Sequence, residues 1–231
     1  MMDLENTKTD YIVSGIKGVL GAIPVVGSFV AECICIRIPN QRMDRIKKFT
    51  EKLGNKIEHL EKSKISAVFN DPEFIDLLED SILQTTKAIS DERIEKIAQL
   101  LSSGMTGESI EHEKFKRYLF LLSQLTDLEI VKLGAFYYPS QGKSEYYAKH
   151  KDSLKNTPPS LESTPDEIEK FAIHESHIQH LHQLGLLEAH YNIDKELGIP
   201  EFDNITGKMK SSGFSITSLG KNLLKYIESP S

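Results

Sequence analysis

The sequence predicts a mainly α-helical protein, with an N-terminal helical bundle followed by a smaller domain that carries a two-stranded sheet. Three observations lead to this prediction. Apolar residues recur at spacings of three and four in most segments between residues 43 and 184, which is the period of an amphipathic helix. Helix-start signals precede several of these segments. Apolar and polar residues alternate, as in a strand, only after residue 185.

Composition excludes several classes of protein. The chain has 231 residues, of which 39% are hydrophobic and 27% charged, a mixture too apolar for a disordered protein. Two cysteines, Cys33 and Cys35, cannot form a disulfide scaffold, so we expect a cytoplasmic protein in a reducing compartment. The formal net charge of −6 does not suit a protein that coats nucleic acid with its whole surface.

The most apolar part of the chain is residues 11–36. Fourteen uncharged residues run from position 18 to position 31. A single membrane-spanning helix needs about 20 apolar residues, and Pro24 would interrupt a helix in the middle of this segment. The segment therefore predicts two short apolar helices that meet near Pro24. Two interpretations stay open: a hairpin buried in a soluble core, or a hairpin that enters a bilayer after a trigger.

A basic segment follows directly. Residues 37–64 hold nine basic residues against four acidic ones, a net charge of +5, so the remainder of the chain carries −11. Apolar residues in this segment form one helical stripe: Met43, Ile46, Phe49, Leu53, Ile57 and Leu60. We predict a surface for an anionic membrane or a partner protein from its basic side chains: Arg37, Arg42, Arg45, Lys48, Lys52 and Lys56. The alternative is a solvated helix that packs its stripe on the rest of the domain.

Three further helices complete the predicted N-terminal domain, residues 1–125. The first starts at Asp71, which caps a helix that begins with Pro72 and runs to about residue 88. The second starts at Ser90 and should end at Gly104, because glycine suits a left-handed C-terminal residue. The third is predicted over residues 107–124. The apolar residues along the first of these helices are Phe74, Leu77, Leu78, Ile82 and Leu83.

The C-terminal domain is predicted over residues 126–231. Capping boxes that start at Thr126 and Thr164 predict helices to about residues 136 and 184, the second stopped by Gly185. Between them we expect a polar loop over residues 138–163, with a short helix around Tyr146 and Tyr147. Strands are predicted over residues 186–191 and 213–217, and a last helix over residues 218–228.

The order of three helices, strand, loop, strand and helix resembles the later part of a winged-helix domain. The phrases HLHQLGLLEAHY and GFSITSLGKNLLKYI carry the resemblance, and Thr217 and Gly220 match the Thr-x-x-Gly turn of that family. Winged helices often bind DNA through the helix before the wing. Here that helix has four acidic residues and Lys170 alone as a lysine or arginine, so it would repel phosphate. Nucleic-acid binding is therefore the alternative function, and contact with a protein is preferred.

Histidines are concentrated in the same helix. His174, His177 and His180 are three residues apart and lie along one side of the helix. Imidazoles at this spacing can share a zinc or nickel ion, which makes these three the candidate metal ligands. Two other interpretations stay open. The favoured one is a set of partly buried, hydrogen-bonded histidines at a helix–helix contact, and the other is a cluster that becomes charged below about pH 6.5 and loosens the packing.

The sequence contains no phosphate loop, no Gly-x-Ser-x-Gly elbow and no dinucleotide fingerprint, so we predict a protein without enzymatic activity or cofactor. The succession of the apolar phrase GAIPVVGS, the basic helix, the helix pair before residue 105 and the phrase LLSQLTDLEIVKL resembles bacterial helical proteins of unknown function. More loosely, it is similar to the Abi-alpha group linked to abortive infection. The resemblance implies a bacterial protein with a role in phage defence. We expect a cytoplasmic interaction protein, peripheral to the inner membrane, that binds a protein partner or itself.

Overall fold

The computed structural model describes residues 40–105, 111–138, 140–160, 162–194, 198–202, 207, 209 and 211–228. The chain divides into two compact units: unit 1 comprises the residues up to Gln124 with those from Tyr226 onward, and unit 2 comprises Leu125–Lys225. The described residues are mainly helical, with a two-stranded antiparallel sheet near the C-terminus, so the predicted fold class is confirmed. The predicted domain ranges, 1–125 and 126–231, stay a prediction.

The helices of unit 1 are α1 (Asn40–Ile57), α2 (Lys62–Val68), α3 (Pro72–Lys87), α4 (Asp91–Met105) and α5 (His112–Gln124). Helix α1 packs along α3 and α4, while α3 and α4 pack on each other and on α5. Hydrogen bonds join Lys48 to Asp91 and Lys56 to Gln99. Since the residue numbers rise together in these two pairs, α1 and α4 run parallel.

The core of unit 1 forms where the apolar stripes of these helices meet. Ile46, Phe49, Leu53 and Ile57 of α1 are each at most 5% exposed, so the stripe predicted for the basic helix packs inside the unit. Other large, fully buried side chains of this core are Phe69, Phe74, Leu77, Ile94, Ile97, Leu100, Met105, Leu119 and Leu121. Removing this apolar surface from water is the main contribution to the stability of the unit.

Local signals determine where α3 starts, but packing determines where α4 ends. The side chain of Asp71 accepts a hydrogen bond of 2.9 Å from the Glu73 amide, and Pro72 is the first residue of α3, as predicted. The predicted stop of α4 at Gly104 is wrong, since the helix continues through Met105 and Gly104 keeps a negative φ. Met105 is only 1% exposed, and its burial favours one more helical residue.

Several predictions concern residues outside the described ranges. They include the apolar segment of residues 11–36, Arg37, and the beginning of the helix predicted over residues 107–124, of which the structure shows α5 from His112 onward. Within the described ranges, no helix is long and apolar enough to cross a bilayer.

The elements of unit 2 are α6 (Asp127–Tyr137), α7 (Ser140–Lys149), α8 (Lys151–Leu154), α9 (Pro165–Gln183), β1 (Leu187–Tyr191), β2 (Ser211–Ile216) and α10 (Ser218–Ile227), whose last residues belong to unit 1. Both predicted capping boxes are complete, at Thr126 for α6 and at Thr164 for α9. Gly185, with a φ of +73°, follows α9 as predicted. In the antiparallel sheet, Leu187 is opposite Ile216 and Ala189 is opposite Phe214.

The polar loop predicted over residues 138–163 is helical over much of its length, as α7 and α8. The hydroxyl of Tyr146 in α7 donates to the carbonyl oxygen of Val131 at 2.9 Å, and its ring stacks on Tyr138 at 4.5 Å. The short helix predicted around Tyr146 and Tyr147 is therefore present as part of α7, and Glu145 and Tyr147 on either side of Tyr146 are exposed. The sequence of this region has no apolar stripe, which is why the pattern predicted a loop around that short helix.

Candidate functional site

The basic side chains of α1 mostly face other helices of unit 1. The ammonium group of Lys48 contacts Asp91 at 2.8 Å, and that of Lys52 contacts Glu95 at 2.7 Å. Lys56 contacts Glu95 at 2.5 Å and donates to Gln99 at 2.6 Å. Burial would raise the pKa of Glu95, but the hydrogen bonds from Lys52 and Lys56 keep it below its usual value. Three of the predicted surface cations therefore bind α4, one every helical turn.

The other predicted cations differ in their surroundings. Arg45 donates from its guanidinium to the carbonyl oxygen of Thr86 at 2.8 Å, near the end of α3 where carbonyl groups lack helical partners. Arg42 is exposed, and Arg37 lies outside the described residues. The exposed charged residues of α1 are of both signs: Arg42, Asp44, Lys47, Lys48 and Glu51, with exposed Glu58 directly after the helix. This mixture lacks the excess of positive charge that favours anionic lipid.

A groove between α3 and α5, hereafter the α3–α5 groove, is a second candidate surface that no sequence pattern predicted. It encloses about 640 Å³. Hydrogen bonds from Lys116 to Asp76 and from Gln84 to the carbonyl oxygen of Leu119 show that its two helices run parallel. Each helix lines it with residues at spacings of three and four: Asp80, Leu83, Gln84 and Lys87 on α3, and Glu113, Lys116, Arg117, Phe120 and Gln124 on α5.

The centre of the groove is apolar and open to water. Leu83 is 57% exposed and Phe120 is 50% exposed. Leu83 is exposed although it belongs to the apolar residues of α3, because its neighbour Ile82 occupies the core and the next residue on a helix is turned by about 100°. The guanidinium of Arg117 lies 5.3 Å from the centre of the Phe120 ring, within range of a cation–π interaction.

The charges of the groove are unevenly arranged. Lys116 contacts Asp76 at 2.6 Å and Asp80 at 2.9 Å, so its charge is matched by carboxylates of α3. The hydrogen bonds from Lys116 and His112 hold the pKa of Asp76 below its usual value. Lys87 and Arg117, by contrast, are exposed cations. The groove therefore combines two apolar side chains with two exposed cations, and the exposed carboxylate of Glu113 lines it as well.

Unit 2 contains a second group of functional side chains, which we call the histidine cluster: Glu129 and Lys132 of α6 with His174, His177 and His180 of α9. The side chain of Glu129 is 4% exposed. Its Oε2 accepts hydrogen bonds from the amide (2.7 Å) and hydroxyl (3.0 Å) of Thr126. Its Oε1 faces Nδ1 of His177 at 3.2 Å and Nδ1 of His180 at 2.7 Å. Burial alone would raise the pKa of Glu129, but these partners lower it.

Lys132 and His174 form the second pair of the cluster. Lys132 is 3% exposed, and its ammonium group contacts Nδ1 of His174. Burial lowers the pKa of Lys132 from its usual value, while the charges of Glu175 and Glu129 act in the opposite direction. Burial, the Lys132 charge and His177 together lower the pKa of His174 to about 4. His174 is therefore neutral at physiological pH.

This geometry confirms the favoured interpretation of the histidines as hydrogen-bonded groups at a helix–helix contact. His177 and His180 share Glu129, whereas His174 binds Lys132, so the three candidate metal ligands have no common partner. In the part of the chain that the structure describes, no group of three His, Cys, Asp or Glu side chains is arranged to hold a metal ion. Sequence reasoning found the histidines but missed Glu129 and Lys132.

Large apolar side chains are also exposed on the wing of unit 2. Ile193, Ile199, Phe202 and Met209 are between 43% and 52% exposed. Phe202 forms an isolated antiparallel bridge with Met209, which brings these two side chains close together.

No family model, curated protein or solved structure matches this chain. Its function has to be inferred from the α3–α5 groove and the histidine cluster themselves.

Proposed function

We propose that this chain is a non-enzymatic interaction protein that binds an acidic amphipathic helix of a partner protein in the α3–α5 groove. The observation that carries the proposal is the joint exposure of Leu83 and Phe120, at 57% and 50%, in one groove. Single exposed apolar residues are common on protein surfaces, but two large ones in a concave site favour a binding partner.

A helix suits the shape of this groove. The lining residues extend from Asp80 to Lys87 on α3, which at 1.5 Å per residue is about 10 Å, or roughly two turns. The two walls are parallel helices, and a third helix can lie between them with its apolar face toward Leu83 and Phe120. Side chains of the partner at positions i and i+4 would then contact both apolar residues.

The charges of the groove select an acidic partner. Lys87 is four residues after Leu83 and Arg117 is three residues before Phe120, so each cation lies beside an apolar contact. Lys116 is held by Asp76 and Asp80 and adds no positive charge for a partner, and the groove is also lined by the exposed carboxylate of Glu113. Carboxylates that flank the apolar stripe of the partner would be attracted by Lys87 and Arg117, while lysines there would be repelled.

Selection from a displayed helix library tests this proposal. The library keeps a leucine stripe in a helix of about 18 residues and varies the flanking positions among Glu, Gln and Lys. We expect the full chain to enrich Glu at these positions. Phe120→Ser and Arg117→Glu should each weaken binding of a selected peptide about tenfold or more, because a central aromatic residue and an arginine are typical hot spots.

Matched variants outside the groove provide the controls. Ile173→Ser removes an apolar side chain that is also 50% exposed but belongs to α9, and Lys47→Glu reverses an exposed charge on α1. Both should leave peptide affinity unchanged. Enrichment of Lys or Gln, or equal loss of affinity in the Ile173 and Phe120 variants, would contradict the proposal.

Nucleic-acid binding through the wing-bearing unit is the less favoured alternative. Asp166, Glu167 and Glu169 are exposed at the start of α9, and the ammonium group of Lys170 there contacts Asp166 at 2.6 Å. The carboxylates on this helix would repel the phosphate groups of a nucleic acid.

We extend the proposal to a membrane-associating effector in phage defence, the role implied by the resemblance to the Abi-alpha group. Its support is the uncharged run of residues 18–31. Flotation of the full chain with vesicles of phosphatidylglycerol and phosphatidylcholine tests the membrane part. We expect the chain to float, and Val25→Asp to abolish flotation because a charge within the apolar run opposes insertion. A wild-type chain that stays at the bottom of the gradient would remove the membrane part and leave the groove proposal intact.

A further inference from the structure

The histidine cluster holds one of its buried charges, the ammonium group of Lys132, through a neutral imidazole. An ammonium group has only donor hydrogens, so Nδ1 of His174 must offer its lone pair to Lys132. His177 and His180 are oriented in the opposite sense, because Nδ1 of each ring faces the carboxylate of Glu129 and must donate to it. The contact between Lys132 of α6 and His174 of α9 thus depends on the protonation state of His174.

We propose that the histidine cluster is an acid-sensitive latch, which holds α9 on α6 at neutral pH and releases it when His174 takes up a proton. Protonation places a hydrogen on Nδ1, which removes the acceptor of Lys132 and leaves two cations in contact. The repulsion is strong because Lys132 is only 3% exposed and water does not screen it well. The latch is independent of the α3–α5 groove.

The remaining acids of the cluster are already engaged. Glu129 accepts hydrogen bonds from Thr126 and faces the rings of His177 and His180, so its two oxygens already have partners. Glu175 is the other acid near Lys132, and its charge does not replace the acceptor that Lys132 loses when His174 is protonated.

Other titratable groups on the neighbouring elements have partners elsewhere or face solvent. His182 hydrogen bonds the carbonyl oxygen of Leu187, and Ser215 binds both His190 and Glu188. The ring of His150 in the α7–α8 turn packs on Tyr146 at 4.6 Å. Exposed charged side chains on the packed elements are Asp127, Glu145, Lys149, Lys151, Asp152, Asp166, Glu167, Glu169 and Lys170. His174 and Lys132 are therefore the pair whose contact changes most on acidification.

The direction of the pH effect follows from the low pKa of His174, about 4 in the folded unit. A free histidine has a pKa of about 6.5. Since the pKa of His174 is lower in the folded unit than in the unfolded chain, neutral His174 contributes fully to stability above about pH 6.5. This contribution is lost as the pH falls toward about 4. The difference corresponds to a change in the ratio of open to closed latch on the order of a hundredfold.

Hydrogen exchange of the full chain between about pH 7.5 and about pH 4.5, corrected for the intrinsic pH dependence of exchange, tests the latch. When the pH is lowered, the protection factors of α9 amides should fall by more than about tenfold relative to those of α4 amides, which serve as the internal reference in unit 1. His174→Gln keeps an acceptor for Lys132 but cannot titrate, and Lys132→Met removes the repelling cation. Both variants should keep α9 protected at low pH. Equal acid-induced loss of protection in wild type and His174→Gln would overturn the proposal.

Direct titration of the wild-type imidazoles covers the case in which a variant does not fold. Two-dimensional NMR of the ring protons should show that His174 stays neutral down to about pH 5, well below the pKa of about 6.5 of a free histidine. A His174 ring that titrates like a free histidine would overturn the proposal.

Discussion

Glu129→Ala is expected to lower the free energy of unfolding of unit 2 by about 3 kcal/mol or more at neutral pH, because it leaves several buried donors without an acceptor at a cost of about 1 to 3 kcal/mol each. The substitution removes an acceptor from the Thr126 amide and hydroxyl, from His177 and from His180 at once. It also takes away a charge that acts on buried Lys132. Chemical denaturation followed by circular dichroism measures the loss, and hydrogen exchange shows whether it is confined to unit 2.

The second capping box supplies a matched control. Glu167 makes the same three contacts with Thr164, in an equivalent sequence, but it is exposed at the start of α9. Glu167→Ala should therefore cost much less than Glu129→Ala. If the two variants lose the same amount, the capping box and not the buried cluster is the source of the stability, and our account of Glu129 is wrong.

The pH dependence of the Glu129 contribution has a definite sign. The folded unit lowers the pKa of Glu129 below 4.5. A carboxylate of this kind stabilises the fold above its unfolded pKa, and the stabilisation disappears as the pH falls through the lower, folded value. The difference in stability between wild type and Glu129→Ala should accordingly be full at neutral pH and shrink below about pH 4.5.

The sequence predicts features that depend on neighbours along the chain and misses features that depend on distant helices. Thr126 and Thr164 were recognised as caps because each box closes within four residues. The partners of Lys48 and Lys52 are 43 residues away, so a helix that binds α4 through its lysines was predicted as a free basic surface. The helical period of the sequence shows that these lysines lie on the same helix, but it does not show which carboxylate of another helix neutralises them.

The histidine cluster could be predicted only in part from the sequence, although one further signal for it is present there. His174, His177 and His180 were singled out by their spacing, while Glu129 and Lys132 belong to a different helix. Both of these charged residues stand among apolar neighbours in the phrase DLEIVKLGAF. A charge on an otherwise buried helix face requires a partner, so this phrase indicates a polar cluster, but only the fold shows which residues complete it.

Gly220→Ala is expected to destabilise unit 2 by about 1 to 3 kcal/mol, the usual cost of forcing an extra carbon into a packed site. A Cβ at this position would lie 2.5 Å from the carbonyl oxygen of Leu186 and 2.9 Å from Ile216. The carbonyl cannot easily move, because it accepts hydrogen bonds from the amide and the hydroxyl of Thr217. That hydroxyl also accepts from the Gly220 amide at 3.1 Å, so the Thr-x-x-Gly turn joins the start of α10 to the residues between α9 and β1.

Gly104→Ala is the control for this prediction, and thermal denaturation of both variants measures the contrast. Gly104 is helical with a negative φ, and the nearest atom to its added Cβ would be a carbon of Phe115 at 3.5 Å, an ordinary contact. The substitution should therefore raise stability by up to about 1 kcal/mol, since alanine is the better helix former. If Gly220→Ala were also neutral or stabilising, α10 could not lie as close to the Leu186 carbonyl as described. Glycine would then not be needed for packing at this position of the Thr-x-x-Gly turn.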